Sequence, residues 1–141
     1  MQLGTFGAIM GFAMDMEEQA AAFYEQAAHA ELAEVFGQLA QGSRKRAKRL
    51  ERARRELVSE MILESITGLD GAHYQLDLDP QADDGALLRQ AQRMEEAALT
   101  FYGDAAAKMP IREVVRLFGR LARENERRLG QVAECKKACG L

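Results

Sequence analysis

Apolar side chains recur at steps of three and four residues in four separate segments of the chain. This spacing places one apolar face along each of four helices that share a core. We predict these helices at about 5–28, 31–65, 84–108 and 111–138. The stepped positions in chain order are Leu3, Phe6, Met10, Ala13, Glu17, Ala20, Tyr24, Ala27; Phe36, Leu39, Ser43, Arg46, Leu50, Ala53, Leu57; Leu88, Ala91, Glu95, Ala98, Tyr102, Ala105; and Val114, Phe118, Leu121, Asn125, Arg128, Val132, Cys135, Cys139.

The connections between these helices are predicted to be short, long and short. Residues 68–80 are rich in turn-forming residues and too numerous for a tight turn, which indicates a crossover. Asp83 or Asp84 is placed to cap the third helix, and Pro110 to open the fourth at a first-turn position. The break near His29 contains no Gly or Pro and is inferred from the repeat described next. The expected fold is all-α, a four-helix bundle made of two helical hairpins joined by a long crossover.

The two halves of the chain carry the same pattern. The segments MEEQAAAFYEQAA and FGQLA begin at Met16 and Phe36, and their counterparts MEEAALTFYGDAA and FGRLA begin at Met94 and Phe118. The offset is therefore 78 residues for the first pair of segments and 82 residues for the second pair. We expect a single domain over residues 1–141 with an internal repeat, residues 10–65 and 84–139.

Composition supports a helical protein and argues against several other classes. Of the 141 residues, 48% are hydrophobic and only 2 are Pro, and the chain is long enough to bury a core without disulfides. No apolar run approaches the roughly 20 residues of a membrane span, so we expect no membrane contact. The 2 Cys make no disulfide framework, which favours a reducing, cytoplasmic location.

Charge is distributed unevenly along the chain. Residues 1–43 contain six acids and no Lys or Arg, whereas residues 44–56 contain eight bases and two acids. Because the net charge of the whole chain is only −3, this contrast is more typical of an acidic helix beside a basic one than of a nucleic-acid surface. No aromatic residue interleaves the basic run, so stacking on single strands is not expected. Binding of anions or nucleic acid through the second helix remains an alternative function.

Polar residues interrupt all four apolar faces near their middles. An uncompensated buried carboxylate costs several kcal/mol, so positive charge must lie beside the inward glutamates. Two metal ions would supply this charge, and so would two guanidinium groups. The inward polar residues are Glu17, Ser43, Arg46, Glu95, Asn125 and Arg128.

The doubled pattern resembles the rubrerythrin branch of the ferritin-like superfamily over residues 10–135. It consists of a Glu followed by Ala and Phe-Tyr, then Phe-x-x-Leu-Ala on the next helix. The resemblance implies a four-helix bundle, often dimeric, with a di-iron centre for peroxide reduction or iron oxidation. By position, Glu17 and Glu95 match the family's glutamate ligands. The family's Glu-x-x-His motifs are replaced by Ser43 and Arg46 on the second helix, and by Asn125 and Arg128 on the fourth.

We therefore expect that arginines, rather than metals, neutralise the two glutamates. A guanidinium is always protonated and cannot donate a lone pair to a metal, whereas its planar fork can meet a carboxylate with two hydrogen bonds. Two alternatives remain open. Rotation of the second helix would turn Ala47 inward and Arg46 outward, or an iron site would survive on Glu17 and Glu95 with neighbours such as Glu18, Glu96 or Glu124.

Several other residues have candidate roles beside structural ones. Tyr24 and Tyr102 follow the two glutamates on the inward faces, where a phenol can bind a carboxylate or relay electrons, although we favour packing as core residues with satisfied hydroxyls. Cys135 and Cys139 share one helix face and form a possible thiol pair, as a strained disulfide or a soft-metal ligand. The crossover aspartates lack the spacing of an EF-hand and are interpreted as turn and cap residues. His73 has no assigned role.

The function expected from these residues is that of a ferritin-like protein with a degenerate di-iron site and no redox activity. It would act in a structural, partner-binding or regulatory role, as a homodimer that buries the apolar start of the first helix. No cofactor is expected, with iron as the alternative. A divergent di-iron oxidoreductase with a remodelled metal site is the enzymatic alternative, and we do not expect nucleic-acid binding.

Overall fold

The computed structural model of the protein describes residues 1–57 and 65–141. Within these residues the chain forms four α-helices and no β-strand beyond one isolated bridge. The predicted all-α fold is confirmed. Helix α1 packs mainly on α2 and α3 mainly on α4, while α2 touches α4 and α1 touches α3, which is a bundle of two hairpins. The helices are α1 Phe6–Ala27, α2 Ala33–Glu56, α3 Asp84–Lys108 and α4 Arg112–Ala138.

The helix ends show which local signals were interpreted correctly. The side chain of Asp83 accepts a hydrogen bond from the Ala86 amide, so it caps α3 as predicted. The prediction for Pro110 was wrong, because α4 is capped by Ile111 and Pro110 precedes that residue. A proline placed before the cap ends the extended connection rather than opening the helix.

The break between α1 and α2 is a tight turn. Ala30 has φ of 49°, a left-handed conformation unusual for a residue with a Cβ, and a 3-10 helix follows at Ala30–Leu32. Because α2 begins after this turn, it starts later than the predicted residue 31. It ends at Glu56, with Leu57 as its C-cap, rather than at the predicted residue 65. Residues 58–64 of that prediction lie outside the described part of the chain.

The first part of the crossover lies at the end of the bundle where α1 begins, and it is hydrogen-bonded to the N-terminal segment. The Leu3 amide donates to the Leu69 carbonyl, and a 3-10 helix spans Gly71–Tyr74. Gly71 must be glycine here, because a Cβ would lie 2.8 Å from the Phe12 ring. Tyr74 covers Phe12 edge-on at 6.2 Å between ring centroids. The crossover therefore closes one end of the core.

The apolar core is divided into two clusters by the central polar layer. One cluster is built around Phe101 and Phe118 and the other around Phe23 and Phe36. The apolar start of α1 belongs to the first cluster and is buried inside the chain, so the prediction that a dimer buries it was wrong. The buried residues concerned are Phe6, Ile9, Met10 and Phe12.

A membrane span is not found in the part of the chain that the structure describes. None of its helices has an 18-residue stretch that is apolar enough to cross a bilayer.

Candidate functional site

Helices α1 and α3 each contribute one glutamate to the polar layer between the two apolar clusters. Glu17 and Glu95 are each only 2% exposed. They occupy equivalent positions in the two copies of the repeat, and heptad spacing turns both of them inward. Two carboxylates at this depth require partners, since an isolated buried charge is strongly unfavourable.

Arg46 of α2 lies inside the bundle and is 2% exposed. Its Nη1 donates to Glu17 Oε2 at 3.3 Å and to Asn125 Oδ1 at 3.1 Å. Its Nε donates to Glu124 Oε1 at 3.3 Å, and its Nη2 donates to the Leu121 carbonyl oxygen at 3.1 Å. Every nitrogen of this guanidinium therefore has an acceptor. The group joins α2 to both α1 and α4.

Arg128 of α4 is the equivalent residue in the second half, and it is 8% exposed. Its Nη2 donates to Ser43 Oγ at 2.8 Å and to the Leu39 carbonyl oxygen at 3.3 Å. Its Nε lies 3.1 Å from Glu95 Oε1 as an ion pair outside hydrogen-bond geometry. Its Nη1 has no hydrogen-bond partner among the described residues. Burial alone would lower the pKa of Arg128, but the carboxylate of Glu95 leads the effects that hold this pKa above its usual value.

The two inward tyrosines link the halves by crossing between them. Tyr24 donates to Glu95 Oε2 at 2.7 Å, and Tyr102 donates to Glu17 Oε2 at 2.5 Å. Burial and the adjacent carboxylates raise the pKa of both phenols well above the ordinary value, so both stay protonated and act as donors. Both tyrosines are fully buried core residues, and each hydroxyl is satisfied by a carboxylate of the other half.

Ser43 and Asn125 stand where the resemblance places a second pair of glutamate ligands. Asn125 Nδ2 donates to Glu95 Oε1 at 2.8 Å, while its Oδ1 accepts from Arg46. Ser43 accepts from Arg128. The amide is thus a bridge between one guanidinium and the carboxylate of the other half, and the hydroxyl satisfies part of the other guanidinium.

Neither guanidinium forms the expected pair of hydrogen bonds with its glutamate. Each guanidinium contacts its own glutamate through a single nitrogen, Nη1 of Arg46 and Nε of Arg128. The other hydrogen bonds of the two guanidinium groups go to backbone carbonyls and to polar residues of the opposite half, and Arg128 Nη1 makes none among the described residues. Arg46 points inward, and Ala47 beside it is also buried at the helix interface, so the rotated arrangement of α2 is not the one observed.

The residues at this centre do not fit a pair of metal ions. A dimetal site in this type of bundle needs Glu-x-x-His motifs on two helices, and here those positions carry hydroxyl, amide and guanidinium groups. A guanidinium has no free lone pair to offer a metal. Among the described residues, no group of three or more His, Cys, Asp or Glu side chains is arranged to hold a metal ion. The arrangement instead fixes the positions of two carboxylates, two guanidinium groups and two protonated phenols.

Glu124 binds two arginines of α2, and this role is not predicted from the sequence. Its Oε1 accepts from Arg46 and its Oε2 accepts from Arg49 Nη1 at 3.3 Å. The sequence alone indicates only a possible metal ligand at this position. The signal that could have found it is its position next to Asn125, one helical turn from the inward Arg128.

A small opening between α1 and α3 leads towards the two glutamates. It has a volume of about 40 Å³, which accommodates a few water molecules but not a typical organic ligand. Its walls are mostly apolar and include Met16, Ala20, Leu78, Met94 and Ala98.

The two thiols lie far along α4 from this centre. Both are free, with Cys135 buried and Cys139 partly exposed. Partial burial, Glu31 and Cys135 raise the pKa of the Cys139 thiol to about 11. A thiol with so high a pKa is almost fully protonated at neutral pH and is a weak nucleophile. His73 is exposed in the crossover, and the structure does not bring it to the central residues.

Comparison with known proteins identifies one family. A protein-family model described as Ferritin-like domain matches residues 7–127, a stretch that contains five of the six central polar residues. No curated protein and no solved structure gives a significant match. Since the match covers most of the chain and the four helices form the corresponding bundle, this protein belongs to the ferritin-like domain family.

Proposed function

We propose that this protein is a non-redox member of the ferritin-like family in which two arginines replace the metal pair. It would serve a structural, partner-binding or regulatory role. The observation that carries the proposal is the position of Arg46 and Arg128, whose guanidinium groups contact Glu17 and Glu95 inside the bundle. Two positive charges there match the two carboxylates, so the centre needs no metal ion for charge balance.

The network also performs the cross-linking that a metal pair performs in such a bundle. Arg46 connects α2 to α1 and α4, and Arg128 connects α4 to α3 and α2. The two tyrosine–glutamate bonds connect α1 to α3. Asn125 donates to Glu95 and so connects α4 to α3, in addition to the ion pair of Arg128 with Glu95. Because every neighbouring pair of helices is bridged by at least one hydrogen bond, the centre fixes one arrangement of the four helices. A buried polar network of this kind favours a specific packing more than it raises stability.

Metal content is the direct test of this proposal. Protein isolated after growth in iron-supplemented medium should contain substoichiometric iron and show no visible absorption of a di-iron centre. Two tightly bound iron ions per chain would overturn the proposal and favour a divergent di-iron oxidoreductase.

A variant with restored ligands provides the matched positive control. The four substitutions Ser43→Glu, Arg46→His, Asn125→Glu and Arg128→His rebuild Glu-x-x-His on both helices. This variant should gain iron under the growth conditions in which the natural chain does not. A gain would show that the bundle can hold the metals and that the present side chains exclude them.

Membership of the rubrerythrin branch, a homodimer and a cytoplasmic location are further parts of the proposed function. The doubled Glu and Phe-Tyr pattern supports the rubrerythrin branch within the family, and relatives of that branch support a homodimer. The chain has only 2 Cys, too few for a disulfide framework, and this supports a reducing, cytoplasmic location. A dimer would have to use a surface other than the start of α1, and light scattering measures whether it forms.

A further inference from the structure

A basic groove lies between α2 and α4, away from the small opening between α1 and α3. Its volume of about 510 Å³ falls within the roughly 300–1,000 Å³ of small-molecule sites. Arg46 and Arg128 form its floor, and Lys45 and Arg127 are exposed on its two sides. The other lining residues are Gln38, Leu39, Gly42, Arg49, Glu124 and Gln131.

The internal repeat relates the two walls of the groove. With the offset of 82 residues, Lys45 corresponds to Arg127 and Arg46 corresponds to Arg128. The backbone contacts match as well, since each floor arginine donates through Nη2 to the carbonyl of an equivalent leucine. Two pairs of lining residues differ: Glu124 has Gly42 as its counterpart on α2, and Arg49 has Gln131 as its counterpart on α4.

The replacement of a carboxylate by glycine at Gly42 leaves one guanidinium incompletely satisfied. Glu124 accepts from Arg46 and Arg49, whereas α2 offers no carboxylate to Arg128. Arg128 Nη1 instead faces the space beside Gly42, where a Cβ added to the glycine would lie 3.9 Å from it. This nitrogen has no partner among the described residues, although the side chain is more than nine-tenths buried. A buried donor without an acceptor is costly, so the site favours an acceptor from outside.

We propose that this groove binds a phosphate group, free or as a small phosphomonoester, in the place of the missing carboxylate. Arg128 Nη1 would bind the anion at the floor, and Lys45 and Arg127 would bind it at the rim. The five cations of the lining face three carboxylates, namely Glu124 in the groove and Glu17 and Glu95 behind it, which leaves an excess of two positive charges. A phosphate group carries about −1.5 to −2 at neutral pH and matches this excess.

The geometry favours a compact anion over a nucleic acid. The floor nitrogen lies between two packed helices and exposes almost no surface. A single phosphate would contact it after a small shift of the Arg128 side chain, whereas a polymer backbone could not follow. No aromatic side chain lines the groove in the part of the chain that the structure describes, so bases have no surface on which to stack.

Calorimetric titration with inorganic phosphate, at constant ionic strength set by chloride, tests the proposal. We expect saturable binding at one site per chain with a dissociation constant of about 1 mM or lower. Titration with glycerol phosphate in a separate arm distinguishes a phosphomonoester from the free ion. Absence of saturable binding in both arms would overturn the proposal.

Two glycine variants of α2 separate the groove from a general charge effect. Gly42→Glu supplies the missing carboxylate and should weaken phosphate binding at least about tenfold, the loss expected for one charge-assisted hydrogen bond. Gly37→Glu adds the same charge to the same helix, at a position with no other atom within 4 Å of the added Cβ, and should leave the affinity within about twofold. Equal affinities of the two variants would overturn the proposal.

A rim variant and an oligonucleotide complete the test. Lys45→Gln alters an exposed side chain and should lower the phosphate affinity several-fold without affecting folding. Binding of a single-stranded oligonucleotide that Gly42→Glu does not weaken, together with no phosphate binding, would also overturn the proposal. The phosphate site depends on the proposed function only because both require Arg128 at the centre of the bundle. Iron content tests the proposed function and phosphate affinity tests the groove, so either can fail without the other.

Discussion

The first half of the bundle, α1 with α2, and the second half, α3 with α4, place the same kinds of residues at the centre. Arg46 of the first half has an acceptor for every guanidinium nitrogen, and a carboxylate, Glu124, closes its outer side. Arg128 of the second half has a glycine in the corresponding place and keeps one nitrogen without a partner. Equivalent residues in a repeat therefore differ in energetic role when their neighbours differ.

The two glutamates also differ in their number of polar partners, and here the second half has more than the first. Glu95 accepts from Tyr24 and Asn125 and lies beside Arg128, whereas Glu17 accepts from Tyr102 and Arg46. Each glutamate accepts two hydrogen bonds, but Glu95 has the guanidinium of Arg128 as a third polar partner. The better satisfied arginine is thus paired with the glutamate that has fewer polar partners. Removal of one partner should consequently have unequal effects in the two halves, which the following substitutions measure.

Replacement of Arg46 is expected to have the largest effect. Arg46→Leu leaves Glu17 without its cation and removes four hydrogen bonds, so the free energy of unfolding should fall by about 3–5 kcal/mol. Urea denaturation measures the change. Arg52→Leu, at an exposed position of the same helix, is the matched control and should change stability by less than about 0.5 kcal/mol.

Replacement of Arg128 should cost less. Arg128→Leu leaves Glu95 with two other donors and removes a guanidinium that already has an unsatisfied nitrogen, so we expect a loss of about 2–3 kcal/mol. A larger loss for Arg128→Leu than for Arg46→Leu would contradict the comparison of the two halves. It would indicate that an unseen acceptor satisfies Arg128.

The sequence allowed the helices and the inward residues to be predicted, and it did not allow the pairings to be predicted. Heptad spacing depends only on the order of residues, so the position of Glu17, Glu95 and both arginines in one layer followed from it. Which acceptor each guanidinium nitrogen chooses depends on carbonyl positions and rotamers across four helices. The repeat comparison of Gly42 with Glu124 was visible in the sequence, but its meaning required the groove between α2 and α4.

Removal of the phenols should have a smaller effect that also depends on pH. Tyr102→Phe takes one of two donors from Glu17 and should cost about 1.5–3 kcal/mol at neutral pH, with Tyr24→Phe nearer the lower value because Glu95 keeps Asn125. Both phenol pKa values are raised in the folded protein, so their contribution is complete below the unfolded value of about 10. It is lost as pH rises above that value.

Alkaline unfolding followed by circular dichroism checks the pH dependence. The natural chain should lose stability steeply above about pH 10, and each Phe variant should show a shallower decline. Tyr74→Phe is the comparison, because Tyr74 lies outside the central network and also has a raised pKa, from partial burial and Asp104. The same linkage predicts a shallower decline for this variant too, but a smaller change than for the two deeply buried central tyrosines. A change as large as theirs would assign the effect to tyrosine burial in general instead of to the central glutamates.

The helix caps give the smallest contrast between the halves. The helix that opens each half is capped, α1 by Thr5, which accepts from the Ala8 amide at 3.0 Å, and α3 by Asp83, which accepts from Ala86 at 2.9 Å. Asp83→Ala should cost about 1 kcal/mol, and Thr5→Ala about half of that, because aspartate is the stronger cap and its charge also interacts favourably with the helix dipole. If Thr5→Ala proves the more costly, the backbone bond between Leu3 and Leu69 must depend on the start of α1. The cap would then act through the crossover, and the two halves would differ at their ends as well as at their centre.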